Sequence, residues 1–358
     1  MRAATFFDGE GWRDGIIDLV DGRMLLREES PARDLPRLDG VIVGGFTDHH
    51  VHLQLVDHTL LHGSTLGRVV DLGANPVVVA ALSTAMHTVE RAAATPGGAK
   101  HAPESSVHGA FSTPQRERRE VSDRFSTSHA VTVEFAGAFL TPVGGYPSDR
   151  DWAPAGSFRE IAATAAADSA VAEMADAGAS CIKVASNATA GPVFDDDLFR
   201  AIVTAATARG LAVIAHAEGT GEAQRVARLG AARLAHAPFT ERLDDAEIAA
   251  QAASVAWIST LSIHDGDTLA TAADNVRRFH ASGGAVLYGT DMGNGPTPVG
   301  LNPDELAALR DAGITDTALL RALAPQDPRD AASTLLRLPG TDADPTLARP
   351  LTSADLKA

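Results

Sequence analysis

The residues best suited to chemistry stand close together in the segment Asp48-His49-His50-Val51-His52. Along an extended strand alternate side chains share a face, so His50 and His52 project together while His49 and Val51 project the other way. Two converging imidazoles can hold a divalent metal ion through their ring nitrogens. In a chain with 13 histidines such a pair carries little weight alone. Its weight grows with later positions of the same kind: Lys183 in Ile182-Lys183-Val184, His216 after Val213-Ile214-Ala215, His236 after Leu234-Ala235, and Asp291 after Gly289-Thr290. A lysine inside a β-like apolar run is the hardest to explain, because burying an ammonium without a partner is costly. Structural roles compete at each position: His216 and His236 as core or capping histidines, Asp291 as the cap of a turn, and Lys183 as the partner of a carboxylate. Asp48 reads as a turn residue whose side chain accepts from backbone.

These positions span 240 residues, so a regular architecture must bring them together. Apolar β-like runs alternate with alanine-rich helical stretches, the pattern of repeated βα units and a parallel sheet. Val41-Ile42-Val43 leads into the histidine segment. Further strands are expected at Arg68 to Leu72, Val131 to Phe135, Cys181 to Ala185, Ala212 to Ala215, Arg233 to Ala235, Val255 to Thr260 and Ala285 to Gly289. Helices are expected at Phe158 to Ala177, Asp195 to Arg209, Glu222 to Leu229, Asp244 to Ala253 and Thr268 to Ser282, with two more within Asp304 to Leu323. The fold class is therefore α/β, a (β/α)8 TIM-like barrel in which the strand ends, and the residues on them, meet at one mouth. Short strands at Ala3 to Phe7, Gly15 to Val20 and Met24 to Arg27 form a small β subdomain ahead of it. The expected division is residues 1–43 for that subdomain, 44–325 for the barrel and 326–358 for a C-terminal extension without convincing strands. The subdomain is thus built largely from the N-terminus. Residues 94–128, rich in Pro, Gly, Ser and charge, read as an insertion or a lid.

Composition narrows the function classes. Thirty lysines and arginines against 46 aspartates and glutamates give a formal net charge of -16, a surface that repels nucleic acid and anionic membranes. Cys181 is the one cysteine, which excludes an intrachain disulfide and a cysteine zinc cluster, so any metal falls to His, Asp, Glu or a modified Lys. No leader-like segment opens the chain and no run of eighteen apolar residues occurs, so a cytoplasmic location is expected. The expected partner is a small-molecule substrate, and a homo-oligomer is left open.

Gly45-Phe46-Thr47-Asp48-His49-His50-Val51-His52, Lys183, His216, His236 and Gly289-Thr290-Asp291 together resemble the metal-site pattern of the amidohydrolase superfamily. The resemblance covers roughly Val41 to Leu338 and includes Gly63 to Gly73, with its Asp-Leu-Gly ending. It implies a metal-dependent hydrolase, with His50, His52 and Asp291 on one metal, His216 and His236 on the other, and carboxylated Lys183 bridging two divalent ions, usually Zn2+. In the alternative, one metal is bound and Lys183 stays free. The family chemistry has a metal-activated hydroxide attack an amide or cyclic amide while Asp291 shuttles the proton. Lactone, ester and phosphotriester hydrolysis form the runner-up, and a non-catalytic metabolite- or partner-binding protein is the reading from another class. The contexts of Lys183, His216 and His236 look most similar to the imidazolonepropionase-like and prolidase-like branch. Tyr146 on a glycine-rich loop and His264 after the seventh barrel strand are candidates for touching substrate. Gly44 stands where the pattern usually has proline, and the C-terminal return to the small β domain is faint.

Overall fold

The computed structural model describes residues 1–93 and 131–357, the stretch 87–93 by its helical backbone alone. The expected insertion at 94–128 lies outside the described residues. β1 (Arg2–Phe7) pairs antiparallel with β2 (Trp12–Val20). A turn at Asp21 and Gly22, both in the left-handed region, then delivers β3 (Arg23–Arg27), as a tight hairpin requires. β4 (Arg37–Gly44) returns parallel to β1.

At Gly44-Gly45 the chain passes from this small sheet into the main body. A Cβ at Gly44 would stand 1.9 Å from the carbonyl oxygen of Gln326, and one at Gly45 would stand 2.6 Å from the Cα of Gly67. Neither position can carry a side chain, which accounts for the two adjacent glycines.

β5 (Phe46–Val51), β6 (Leu66–Asp71) and β7 (Thr132–Phe135) form a three-stranded parallel sheet. Seven strands follow: β8 (Phe139–Pro142), β9 (Phe158–Ile161), β10 (Cys181–Asn187), β11 (Ala212–Glu218), β12 (Arg233–Leu234), β13 (Ala256–Ile258) and β14 (Val286–Leu287). They make a second parallel sheet in the order β14-β13-β12-β11-β10-β8-β9. Backbone hydrogen bonds join the two sheets: His49 N donates to Tyr288 O (3.0 Å) and His52 N to Met292 O (2.7 Å) at one junction, and Ser180 N to Phe135 O (2.9 Å) at the other. Helices Thr164–Asp176, Asp196–Thr207, Glu222–Arg228, Asp245–Ala252 and Gly266–Ala281 alternate with these strands. Their starts are chemically marked: Asp195 accepts from Leu198 N and Asp244 from Glu247 N, each satisfying an amide that the first helical turn leaves unpaired. Trp257 on β13 is fully buried, stacks 3.8 Å from Phe279 and donates its indole N–H to Gln251. No helix among the described residues is long and apolar enough to cross a membrane.

Three expectations need correction. Phe158–Ile161, expected to open a helix, is strand β9, and the helix begins at Thr164. Its neighbour β8 was not foreseen, because four residues ending in proline are too short to show a period. The C-terminal residues also contain strands: β15 (Leu335–Leu338) pairs antiparallel with β4, and β16 (Arg349–Pro350) pairs with β15. The small sheet therefore has six strands in the order β16-β15-β4-β1-β2-β3, drawn from both ends of the chain. Leu336 and Leu351 are fully buried there.

Candidate metal centre

β5 delivers its two histidines as strand parity requires, and each is oriented from behind. His50 Nδ1 lies 2.8 Å from Ala235 O, and His52 Nδ1 lies 3.2 Å from Gly73 O. A carbonyl can only accept, so both Nδ1 atoms carry the proton, and each Nε2 is left facing forward. Both Nε2 atoms face one oxygen, Asp291 Oδ1, at 3.2 and 3.1 Å. Asp291 follows β14 with φ of 54°, a left-handed conformation that Asp tolerates better than most residues. Its Oδ2 accepts from Asn294, while Oδ1 is buried without a hydrogen-bond donor. With both imidazoles neutral, their Nε2 lone pairs and this carboxylate oxygen repel unless a cation sits among them, and one divalent ion answers all three, so the donor set fits a metal.

Asp48 holds the arrangement together. Its Oδ1 accepts from His50 N (3.0 Å) and Thr290 N (3.1 Å), and its Oδ2 accepts from Thr290 Oγ (2.6 Å), tying the histidine strand to the loop that carries Asp291. Asp71 does the same for His52, accepting from Leu53 N and Gly73 N on either side. His49 lies on the far face, buried and without a hydrogen-bond partner for either ring nitrogen. Burial, reinforced by Arg233 and Arg68, pushes its pKa down to about 3.

Lys183, on β10, is 1% exposed. Its Nζ is 3.4 Å from His50 Nε2 and 5.8 Å from the centre of the Phe139 ring. Burial brings its pKa down to about 8 against the opposing charge of Asp291. His236, past β12, directs Nδ1 to Thr260 Oγ at 2.9 Å, and its ring is 4.8 Å from that of His50. Ligand atoms of His50, His236 and Asp291 lie within 4.8 Å of one another. His216, on β11, packs edge-on to His236 at 5.0 Å, but its Nε2 is turned to Glu218 (3.3 Å) and Asn187 (3.4 Å).

The charges explain themselves by neighbour. Burial holds the pKa values of His50 and His236 well below the ordinary range for an imidazole. Burial opposes charge on His52 as well, but the Asp291 carboxylate beside it outweighs that and raises its pKa. For Asp291 burial opposes ionisation, and His50 and His52 overcome it, so the carboxylate stays ionised.

No protein-family model matches the chain, and no curated protein sequence does. Solved structures do resemble it. A Xaa-Pro dipeptidase with bound methionine superposes with a TM-score of 0.63 at 15% identity, covering 96% of this chain and 93% of that one. An A. niger ochratoxinase gives 0.62 at 14%, covering 97% and 94%. A putative prolidase from Bifidobacterium longum gives 0.61 at 19%, covering 99% and 96%. All three are amidohydrolase-superfamily structures. The chain has the amidohydrolase fold.

On this amidohydrolase fold all six sequence-derived positions line or border a single cavity of about 970 Å3, and Tyr146 and His264 line it too. Tyr146 stacks on His216 at 5.3 Å, and His264 lies 4.4 Å from Phe239 with its Nε2 buried and unpartnered. Sequence reasoning passed over Glu218. It stands two residues beyond His216 on the same face of β11, and that spacing is the signal that could have found it. Glu218 Oε2 accepts from Asn187 Nδ2 (2.6 Å) and Oε1 accepts from Thr189 Oγ (2.9 Å). The hydrogen bond with His216 is the main reason its pKa is held down.

Proposed function

We propose that this protein is a metal-dependent hydrolase of amide or cyclic amide C–N bonds, with its site at the mouth of a closed barrel formed by β5, β6, β7 and β10 to β14. One observation carries the reading: His50 and His52, each fixed by a backbone carbonyl at Nδ1, aim Nε2 at a donor-less carboxylate oxygen of Asp291. His50, His52 and Asp291 would hold one divalent ion, His216 and His236 a second, and Lys183, carboxylated by carbon dioxide, would lie between them. Zinc is the metal we expect. Such ions supply Lewis acidity, making water a competent nucleophile near neutral pH and drawing electron density from a carbonyl.

The chain's own groups do the rest. Asp291 takes a proton from the attacking water and returns it to the leaving nitrogen as the C–N bond breaks. Asn294 steadies its Oδ2 during both transfers. Lys183, with its pKa brought down to about 8, has a larger neutral fraction than a surface lysine, and the neutral amine is the form that adds carbon dioxide.

A one-metal site is the second reading, favoured by the compact group of His50, His236 and Asp291 and by the engagement of His216 with Glu218. Metal analysis after reconstitution with zinc and bicarbonate separates the two, at about two ions or about one per chain. The same preparation, offered a dipeptide, a lactam, a lactone and a phosphotriester, should turn over the amide members. Asp291→Asn should lower that turnover by about 100-fold or more while the protein stays folded. Absence of bound metal after reconstitution would sink the proposal, as would full activity in Asp291→Asn.

A further inference from the structure

We propose that the site is built for flat aromatic amides whose ring portion is neutral or positively charged, and that it discriminates against substrates with a carboxylate there. The word substrate rests on the hydrolase reading above; the ligand class rests on the cavity itself.

Six rings follow one another through the cavity. Trp152 and Tyr146 are 6.1 Å apart, Tyr146 and His216 5.3 Å, His216 and His236 5.0 Å, His236 and Phe239 6.1 Å, and Phe239 and His264 4.4 Å. All six line the same space. The band runs from Trp152, 43% exposed, past the two histidines of the proposed metal site to Phe239 and His264. Ring faces and edges at these spacings receive another flat ring by offset or edge-on contact, with more gain than a saturated group of equal size would have. His264 Nε2, buried and unpartnered, offers a polar contact to whatever enters.

Charge decides the rest. Glu218, Asp265 and Asp304 join Asp291 in the lining, and Asp265 and Asp304 are exposed at the mouth. Among the described residues the lining holds no arginine, and its lysine, Lys183, is at the base against His50. Arg150 lies over Tyr146, 5.8 Å from its ring centre, but it is outside the lining and its Nε is 3.4 Å from Asp149. A carboxylate on the outer part of a bound molecule would face like charges within a Debye length. An ammonium or a neutral group would not.

The test uses N-benzylacetamides that carry aminomethyl, hydroxymethyl or carboxylate at the para position, with the cyclohexyl counterpart of the hydroxymethyl compound. Binding is measured calorimetrically to zinc-loaded and to chelator-treated protein. The aminomethyl and hydroxymethyl compounds should bind about tenfold or more tighter than the carboxylate, and the aromatic hydroxymethyl compound about tenfold tighter than its cyclohexyl counterpart. Trp152→Ala should weaken the aromatic compounds and leave the cyclohexyl one unchanged, and joint Asp265→Asn and Asp304→Asn changes should narrow the gap between amine and acid. Equal binding of the carboxylate and the aminomethyl compound overturns the proposal, and so does equal binding of the saturated ring. If the binding order holds and no compound is hydrolysed, the ligand class stands and the hydrolase reading falls. If a carboxylate-bearing dipeptide is hydrolysed best, the hydrolase reading stands and the ligand class falls.

Discussion

His50 and His52 acquire their role from what stands behind them. A histidine whose Nδ1 faces water can present either nitrogen forward, whereas one whose Nδ1 faces Ala235 O or Gly73 O presents Nε2. Thr260 orients the ring of His236 from behind, its hydroxyl, unlike a carbonyl, being able to donate or accept at Nδ1. Thr260→Val should therefore weaken metal uptake by about 10- to 100-fold with little loss of fold, measured by competition with a chromogenic chelator. Lys183 is the clearest case of a residue out of place in its surroundings. In the metal-free protein Lys183→Met should be at least as stable as the parent, since a buried amine gives way to an apolar chain of similar length. Its metal content should fall from about two ions per chain to about one. Lys183→Ala should recover part of its activity when a short carboxylic acid is added. A melting temperature well below the parent's, with metal content unchanged, would contradict the assigned role.

The elements show why the site forms where it does. β5 enters the main body through Gly44-Gly45, and any side chain at Gly44 meets the Gln326 backbone. Gly44→Ala should accordingly destabilise the protein by about 1–3 kcal/mol, read from urea unfolding followed by fluorescence, and should loosen the proposed metal site downstream. The strands that carry Lys183 and His216, β10 and β11, run seven residues each, and their apolar, β-branched first parts, Cys181 to Ala185 and Ala212 to Ala215, were legible in the sequence. β8 and β9, at four residues each, were not. A strand that short is recognised by its partner across the ladder rather than by its own sequence.

At the scale of the whole molecule, the two ends of the chain close one small sheet. β15 lies against β4, and the residues beyond it are held by Asp355, which takes Arg349 and the backbone and hydroxyl of Thr352. Arg349 is the main reason the Asp355 pKa lies below its ordinary 3.8. A carboxylate with a depressed folded-state pKa adds stability above its unfolded value, and that contribution fades as pH falls through the folded one. Residues 349–357 should therefore detach at acidic pH before the main body unfolds, and earlier in Asp355→Asn. Hydrogen exchange between about pH 5 and pH 2 checks this, and simultaneous loss of protection in β16 and β11 would refute it.

From the sequence alone one could read the α/β alternation, the parity that separates His49 from its neighbours, the oddity of a lysine in a strand, and six positions with ligand chemistry at strand ends. These are local matters, governed by periodicities of two and 3.6 residues and by the cost of burying charge. Which nitrogen each histidine presents, the turning of His216 toward Glu218, the sharing of one cavity by Tyr146 and His264, and the band of rings that joins them were decided only by the tertiary structure. Each depends on a contact between chain segments that no local pattern relates: Ala235 behind His50, Gly73 behind His52, Thr290 on Asp48. His50 and His52 were visible as a pair from the start, and the folded chain turned that pair into a site by closing β5 against the loop of Asp291.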